Sequence, residues 1–364
     1  MAINDFYSIL DKTITEFKNN NVVNIGKNVF ANCKSLSYVS ATKCMVVDVS
    51  AFNSCNLTSV NLPNVRYIGS SAFSSCSKLQ SIEFPKCTVL GSAAFYSCSI
   101  LTSISFPECV SVGNNAFYYC NNLKNVYFPK LTRIPSMCFQ DCYRLSTFDF
   151  TNITSISAHA FRECSSLTIL DLPKCSSIGE STFASCTGVT KVTFGIDVRL
   201  ALAAFARCYN LSEITNDKIT YIGQQCFQSC SNLTDGYFPN CTAVGQNCFM
   251  GCSKLTQLSL PKLSYVPYYG FGSGNQISVI YIDTCSSLQS SAFRSMSYLR
   301  SVYMRSIKSV PYTTQYTFSQ SPFYSTSYAS DSATFASIYV PASLYNSIIA
   351  STWWASISAR IVSI

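Results

Sequence analysis

Thirteen phenylalanines recur in register along this chain: Phe30, Phe52, Phe73, Phe95, Phe117, Phe139, Phe161, Phe183, Phe205, Phe227, Phe249, Phe271 and Phe293. Eleven of the twelve intervals are 22 residues, and the step from Phe52 to Phe73 is 21. A fixed period of roughly 20–30 residues marks a solenoid, in which each repeat stacks only on its neighbours. One such unit cannot bury its own apolar face. Stacking joins the faces into one continuous core, so the chain must repeat a single supersecondary shape many times.

The segment Leu90 to Val112 serves as a specimen. Phe95, Cys98 and Leu101 are spaced three apart, which predicts one or two turns of α or 3-10 helix with these side chains inward. Leu101, Ile104 and Phe106 then pass into strand alternation, and Pro107 ends the strand because it cannot donate a ladder hydrogen bond. Proline recurs at this place at 63, 85, 129, 173, 239 and 261. Gly69, Gly91, Gly113, Gly179, Gly223 and Gly245 mark the following turn, where a positive φ is expected.

Units of the form I-G-x-x-A-F-x-x-C-x-x-L-x-x-I-x-F-P, such as Ile68 to Pro85 and Val112 to Pro129, resemble the leucine-rich repeats of the BspA-like family over residues 14 to 341. The resemblance implies an α/β repeat fold: a leucine-rich-repeat solenoid with parallel strands, short helical or 3-10 turns, and caps at both ends. It also implies a surface or secreted protein that binds host proteins, other cells or matrix, and similar arrays occur in phages of gut bacteria. Repeats near Ala41, Asn216 and Arg305 lose the Phe-Pro strand end, and Gly236 replaces an inward aliphatic. Those rungs are expected to be looser.

The repeats run over 25–310. Residues 1–24 read as an N-terminal cap or a docking helix, with Ile3, Phe6 and Leu10 at helical spacing and Ile14 and Phe17 as a half-rung. Residues 311–334 read as a Ser/Thr/Tyr-rich insert with Phe318 and Phe323 as anchors, and 335–364 as a last rung and C-terminal cap. In that cap Phe335, Ile338 and Val340 form a strand, Leu344 to Trp354 a short helix, and Trp353 and Trp354 the seal. Residues 1–12 lack a basic start and an apolar run, and no stretch of 18 apolar residues suggests a membrane span. The resemblance places the protein at a cell surface or outside the cell. The missing signal leaves a virion-associated or cytoplasmic setting open.

All twenty cysteines fall on repeat positions: three after the Phe, fourteen after it, or directly before it. At the second position other repeats carry Leu131, Ile153, Ile219, Leu263 or Ile307, so cysteine there reads as a small buried hydrophobe. Disulfides and metal sites are the alternatives. The C-x₃-C pairs such as Cys226 and Cys230 are by-products of the register rather than four converging ligands.

Charged residues make up only 12% and the net charge is +8, without the basic cluster that nucleic-acid binding requires. His159 is the sole histidine and stands on a turn, and no G-x-S-x-G, Walker or H-E-x-x-H motif appears. Asp149 and Asp171 sit on adjacent rungs, yet lack a cleft to desolvate them as a glycosidase pair. No enzyme activity, cofactor or metal is therefore expected.

Residues flanking the central strand Ile/Val must point outward. That row includes Tyr127, Asp149, Asp171, Tyr237, Tyr281 and Tyr303, the candidate binding face, with Tyr281 and Tyr303 beside the Tyr-rich insert as its centre. A second row follows the proline position: Lys43, Lys86, Lys130, Lys174, Lys218 and Lys262 alternate with Asn64, Glu108, Asn152, Ile196 and Asn240. It reads either as like-charge avoidance or as a basic comb for an anionic polymer. The function expected is recognition or adhesion toward a host or cell-surface protein or glycan. A phage tail-associated host-recognition protein and an intracellular scaffold are the alternatives. If the thiols are core groups, Cys120→Ala should destabilise mildly and equally with or without reductant in a denaturant melt.

Overall fold

A computed structural model describes residues 12–313 and 336–364. The expected Ile3, Phe6 and Leu10 helix, and nearly all of the 311–334 insert with Phe318, Phe323 and Phe335, lie outside them. The protein is a parallel-strand β-solenoid of about 15 turns with few helices. It divides into two compact units, Met1–Cys175 with Thr182–Val189, and Ser176–Ser181 with Thr190–Ile364.

In the first unit most repeats contribute a short strand such as Ser103–Ser105 and a two-residue strand such as Ser111–Val112. Each pairs in parallel with its copy one repeat away, Ser81↔Ser103↔Asn125 on one side and Val89↔Ser111 on the other. The phenylalanines stack face to face inside. Phe73, Phe95, Phe117 and Phe139 are fully buried, with centroids 5.1, 5.4 and 5.4 Å apart and planes within 3°.

The Phe, Cys and Leu positions are buried as their spacing predicts, but the backbone carrying them is a chain of β-turns rather than helix. Around Phe95, Tyr96 and Cys98 donate locally to the carbonyls of Ala93 and Phe95. The intervening amides of Ala93, Phe95 and Ser97 donate to Asn114, Ala116 and Tyr118 on the next rung, each at 2.8 Å. A helix would turn every amide inward along its own axis, whereas here every second one is needed by the neighbouring rung.

This alternation forces left-handed backbone two residues before and two after the Phe, as at Ala93 (φ 54°) and Ser97 (φ 56°). His159 (φ 59°) holds one of these turn positions. The conserved-looking glycines do something else. Gly69, Gly91, Gly113, Gly223 and Gly245 are not left-handed, contrary to expectation. A Cβ on Gly69 would lie 2.6 Å from the amide nitrogen of Val49, and Gly91 and Gly113 abut Ser70 and Ser92 in the same way. Glycine is needed there because backbone packs on backbone.

Proline explains where the two-residue ladder stops. Gly113 and Gly245 donate back to Leu90 and Ile222, both at 2.8 Å. Pro135 and Pro267 hold the equivalent positions and have no N–H. The ladder is interrupted between Ser111–Val112 and Arg133–Ile134 in the first unit, and between Ala243–Val244 and Tyr265–Val266 in the second.

In the second unit the strands Gln257–Ser259, Val279–Tyr281, Ser301–Tyr303, Ser337–Val340 and Ile361–Ser363 form one parallel sheet. The helix Ala342–Ile349 and the buried Trp354, whose Nε1 donates to the Pro311 carbonyl at 3.1 Å, close this end. Two of the four suspect rungs are irregular. At Gly236 only an isolated bridge, Tyr237↔Ser259, remains. Asn216 takes the inward place that Phe84 and Phe106 fill elsewhere, is buried, and neither amide atom finds a partner.

The other two suspect rungs are tight. Tyr38–Ser40 pairs regularly beside a fully buried Ala41, and Arg305 is tied by a fork of bonds described below. Because a buried unpaired amide costs about 1–3 kcal/mol, Asn216→Leu should stabilise the protein by about that much in urea melts.

Candidate recognition surface

The outward strand residues stand where alternation places them, but the structure sorts them. In the first unit Tyr127 is 55% exposed on the strand Asn125–Tyr127. Asp171 is exposed on Ile169–Leu172. Asp149 lies on a rung without a strand, where its Oδ1 accepts from the Thr151 amide at 2.9 Å. Hydrogen bonding from Thr151 holds its carboxyl below the usual value.

The second unit holds the densest grouping. Tyr281, Tyr303 and Tyr339 are in register on adjacent strands and stack with centroids 4.7 and 4.4 Å apart, planes 14° and 9° from parallel. The Arg305 guanidinium lies 4.9 Å from the Tyr281 ring centre and forks onto Asp283, Nε to Oδ1 at 2.8 Å and Nη2 to Oδ2 at 2.6 Å. Asp283 is buried while Arg305 is half exposed. Hydrogen bonding to Asp283 raises the guanidinium pKa further. Such a fork fixes a long side chain that would otherwise be mobile.

Sequence reading missed Tyr339 and the Arg305–Asp283 pair. The signal for Tyr339 was present, since Tyr339-Val340-Pro341 repeats the pattern of Tyr127-Phe128-Pro129. The pair joins residues 22 apart and becomes visible only once the rungs are stacked. A further tyrosine group was also missed in the first unit, where Tyr118 and Tyr119 stack at 4.2 Å with Tyr96 edge-on at 5.4 Å from Tyr118.

The lysine row has partners on the molecule. Lys86, Lys174 and Lys262 donate to the Oδ1 of Asn64, Asn152 and Asn240 one rung back, at 2.6, 3.0 and 2.7 Å. Lys130 pairs with Glu108 at 2.6 Å. Lys218, whose rung-back neighbour is Ile196, turns to Asp217 at 3.6 Å. The asparagines in turn donate to backbone, Asn64 to Thr42 and Asn240 to Asp217. Lys86, Lys130, Lys174 and Lys262 therefore each cap an asparagine or acid one rung back.

All twenty cysteines are buried. Among those three after the Phe, Cys98 and Cys120 donate Sγ–H to the carbonyls of Phe73 and Phe95 on the previous rung, both at 3.2 Å. Those fourteen after it bond two residues on, as Cys44 does to Val46 at 3.3 Å. Among the described residues no group of three or more His, Cys, Asp and Glu could hold a metal ion. No helix among them is long and apolar enough to cross a membrane.

A leucine-rich-repeat solenoid with a variable outward face is thus the class that fold and surface define. The family model for the BspA type leucine rich repeat region matches residues 4–110, 45–168, 88–212, 154–264 and 220–339. The chain belongs to that family. It is similar to a leucine-rich repeat protein from Bacteroides ovatus, at 22% identity over 84% of this chain and 87% of that one, with a TM-score of 0.46. A T. pallidum leucine rich repeat protein shares 27% identity over 43% of this chain and 78% of that one, at a TM-score of 0.40. A leucine rich cell surface protein from Faecalibacterium prausnitzii shares 21% over 72% and 76%, at 0.41. No curated protein matches.

Burial pushes the thiols of Cys44, Cys109 and Cys285 up to about 11, and those of Cys87 and Cys241 up to about 12. An unfolded thiol ionises at about 8.5. The folded chain holds these protons where the unfolded chain has lost them, so stability is fully present below that pH and falls as pH rises toward 11. Urea midpoints should be flat from about pH 6 to 8 and drop steeply above about pH 9.

Proposed function

We propose that this chain is a non-catalytic recognition protein that contacts a protein or glycan on a cell surface through the outward strand face of its second unit. The observation that carries this reading is the Tyr281–Tyr303–Tyr339 stack locked beside the Arg305–Asp283 fork. Tyrosine presents a large amphipathic contact area at low entropic cost, and arginine held in place adds a directed polar group. These residues lie where the repeat leaves side chains free to vary, so the fold does not require tyrosine there. Membership of a repeat family with bacterial surface neighbours supports the same reading.

The test is binding of fluorescently labelled protein to bacterial and epithelial cells, read by flow cytometry. Tyr281→Ala combined with Tyr303→Ala should abolish saturable binding while shifting the melting temperature by no more than about 4 °C. Undiminished binding by the double variant would overturn the reading.

A further inference from the structure

The tyrosine column of the second unit has one tooth missing. Its in-register members are Tyr237, Ser259, Tyr281, Tyr303 and Tyr339. Tyr281 is covered on one side by Tyr303 at 4.7 Å, but on the other its neighbour is a serine. Beyond that serine stands Tyr237, which is 56% exposed. Strands about 4.8 Å apart place Tyr237 and Tyr281 about 10 Å from one another, room for one more ring between them.

The space is real. An open groove of 520 Å³ lies over Ser259, with Tyr237 and Tyr281 among its walls and Asp235, Thr256, Gln257 and Arg305 among its polar lining. That volume falls in the usual range for small-ligand sites. The rung at Gly236 keeps only a single bridge, and a side chain there would collide with the Gln257 carbonyl oxygen. Asp235 accepts from the Tyr237 amide at 3.0 Å, which holds the segment in place.

The lining selects the occupant. Two aromatic side chains suit a flat group with an apolar face. The rim, however, is polar: hydroxyl, amide, carboxylate and guanidinium groups that a purely aromatic side chain would bury without partners, at a cost. An anionic group finds no uncommitted cation, because Arg305 is already neutralised by Asp283, and it would meet Asp235. A neutral pyranose satisfies both demands, with C–H faces for the rings and ring-edge hydroxyls for Asp235, Gln257 and Arg305.

We propose that the groove over Ser259 is a binding subsite for one neutral pyranose residue, seated between Tyr237 and Tyr281. The proposal rests on the recognition reading of this face and deepens it. A free sugar and the terminal residue of a surface glycan share this chemistry, so both are tested.

Methyl glycosides of glucose, galactose, mannose and N-acetylglucosamine are titrated by saturation-transfer NMR, and a glycan array carries neutral and sialylated chains. At least one neutral glycoside should bind, and array signal on chains ending in that sugar shows that the glycan terminus is taken as well. Ser259→Tyr, which fills the gap with the residue its neighbours already carry, should weaken binding by at least about tenfold, with the melting temperature retained. Tyr237→Ala should do the same from the other wall. Failure of every neutral glycoside and neutral chain, preference for acidic chains, or indifference to Ser259→Tyr would each overturn the proposal. Cell binding that is lost in the Tyr281/Tyr303 double variant but unchanged in Ser259→Tyr would overturn the subsite while leaving the recognition face standing.

Discussion

The structure depends on one hydrogen bond repeated at an offset of one rung. Amides on the turns and strands donate to carbonyls 21 to 23 residues away, as Phe95 does to Ala116 and Gly113 to Leu90. Because that partner belongs to the neighbouring repeat, the backbone of each rung must copy the backbone of the next. Left-handed residues flank the turn phenylalanines from Phe30 to Phe249 for this reason, and even tyrosine (Tyr119, φ 59°) and methionine (Met137, φ 56°) accept that conformation. Holding a non-glycine residue there costs about 1–2 kcal/mol, which the ladder offsets. The same dependence makes Pro135 and Pro267 interruptions, since each removes the donor its rung needs.

Side chains extend the ladder rather than decorate it. Thr58, Thr102 and Thr154 donate their hydroxyls to carbonyls of the preceding rung at 3.1, 3.0 and 3.1 Å. The cysteine thiols add a second donor to carbonyl oxygens inside the turns that already accept an amide, a role that a methyl group could not fill and a hydroxyl would fill with a greater desolvation cost. Like charges stacked a rung apart would repel, and the Lys–Asn and Lys–Glu alternation removes that repulsion while supplying a bond.

What the surface offers is set by where regularity lapses. In the second unit the strand face opens at Gly236, and a serine interrupts the tyrosine column at 259. Outwardness of Tyr237, Tyr281 and Tyr303 was legible from the two-residue alternation around each central aliphatic. Their stacking, the third ring at Tyr339 and the arginine fork were not, because each joins residues one repeat or more apart. A register read along one rung says which way a side chain points, while contact requires the next rung to be placed above it.

The period, the buried positions, the parallel strands and the outward rows follow from the letters alone, because a 22-residue repeat of apolar letters closes its core only by stacking. How the backbone runs between those positions is settled by the stacking of one rung on the next. The Phe-Cys-Leu spacing fits a helix as well as it fits linked turns, and the choice falls to turns because half of their amides are claimed by the neighbouring rung. The same competition assigned glycine to close backbone contact instead of a left-handed turn. It gave the lysines partners a full repeat away and turned a single serine between tyrosines into an opening. Those outcomes depend on what lies above and below each residue, and adjacency across rungs is not written in the adjacency of letters.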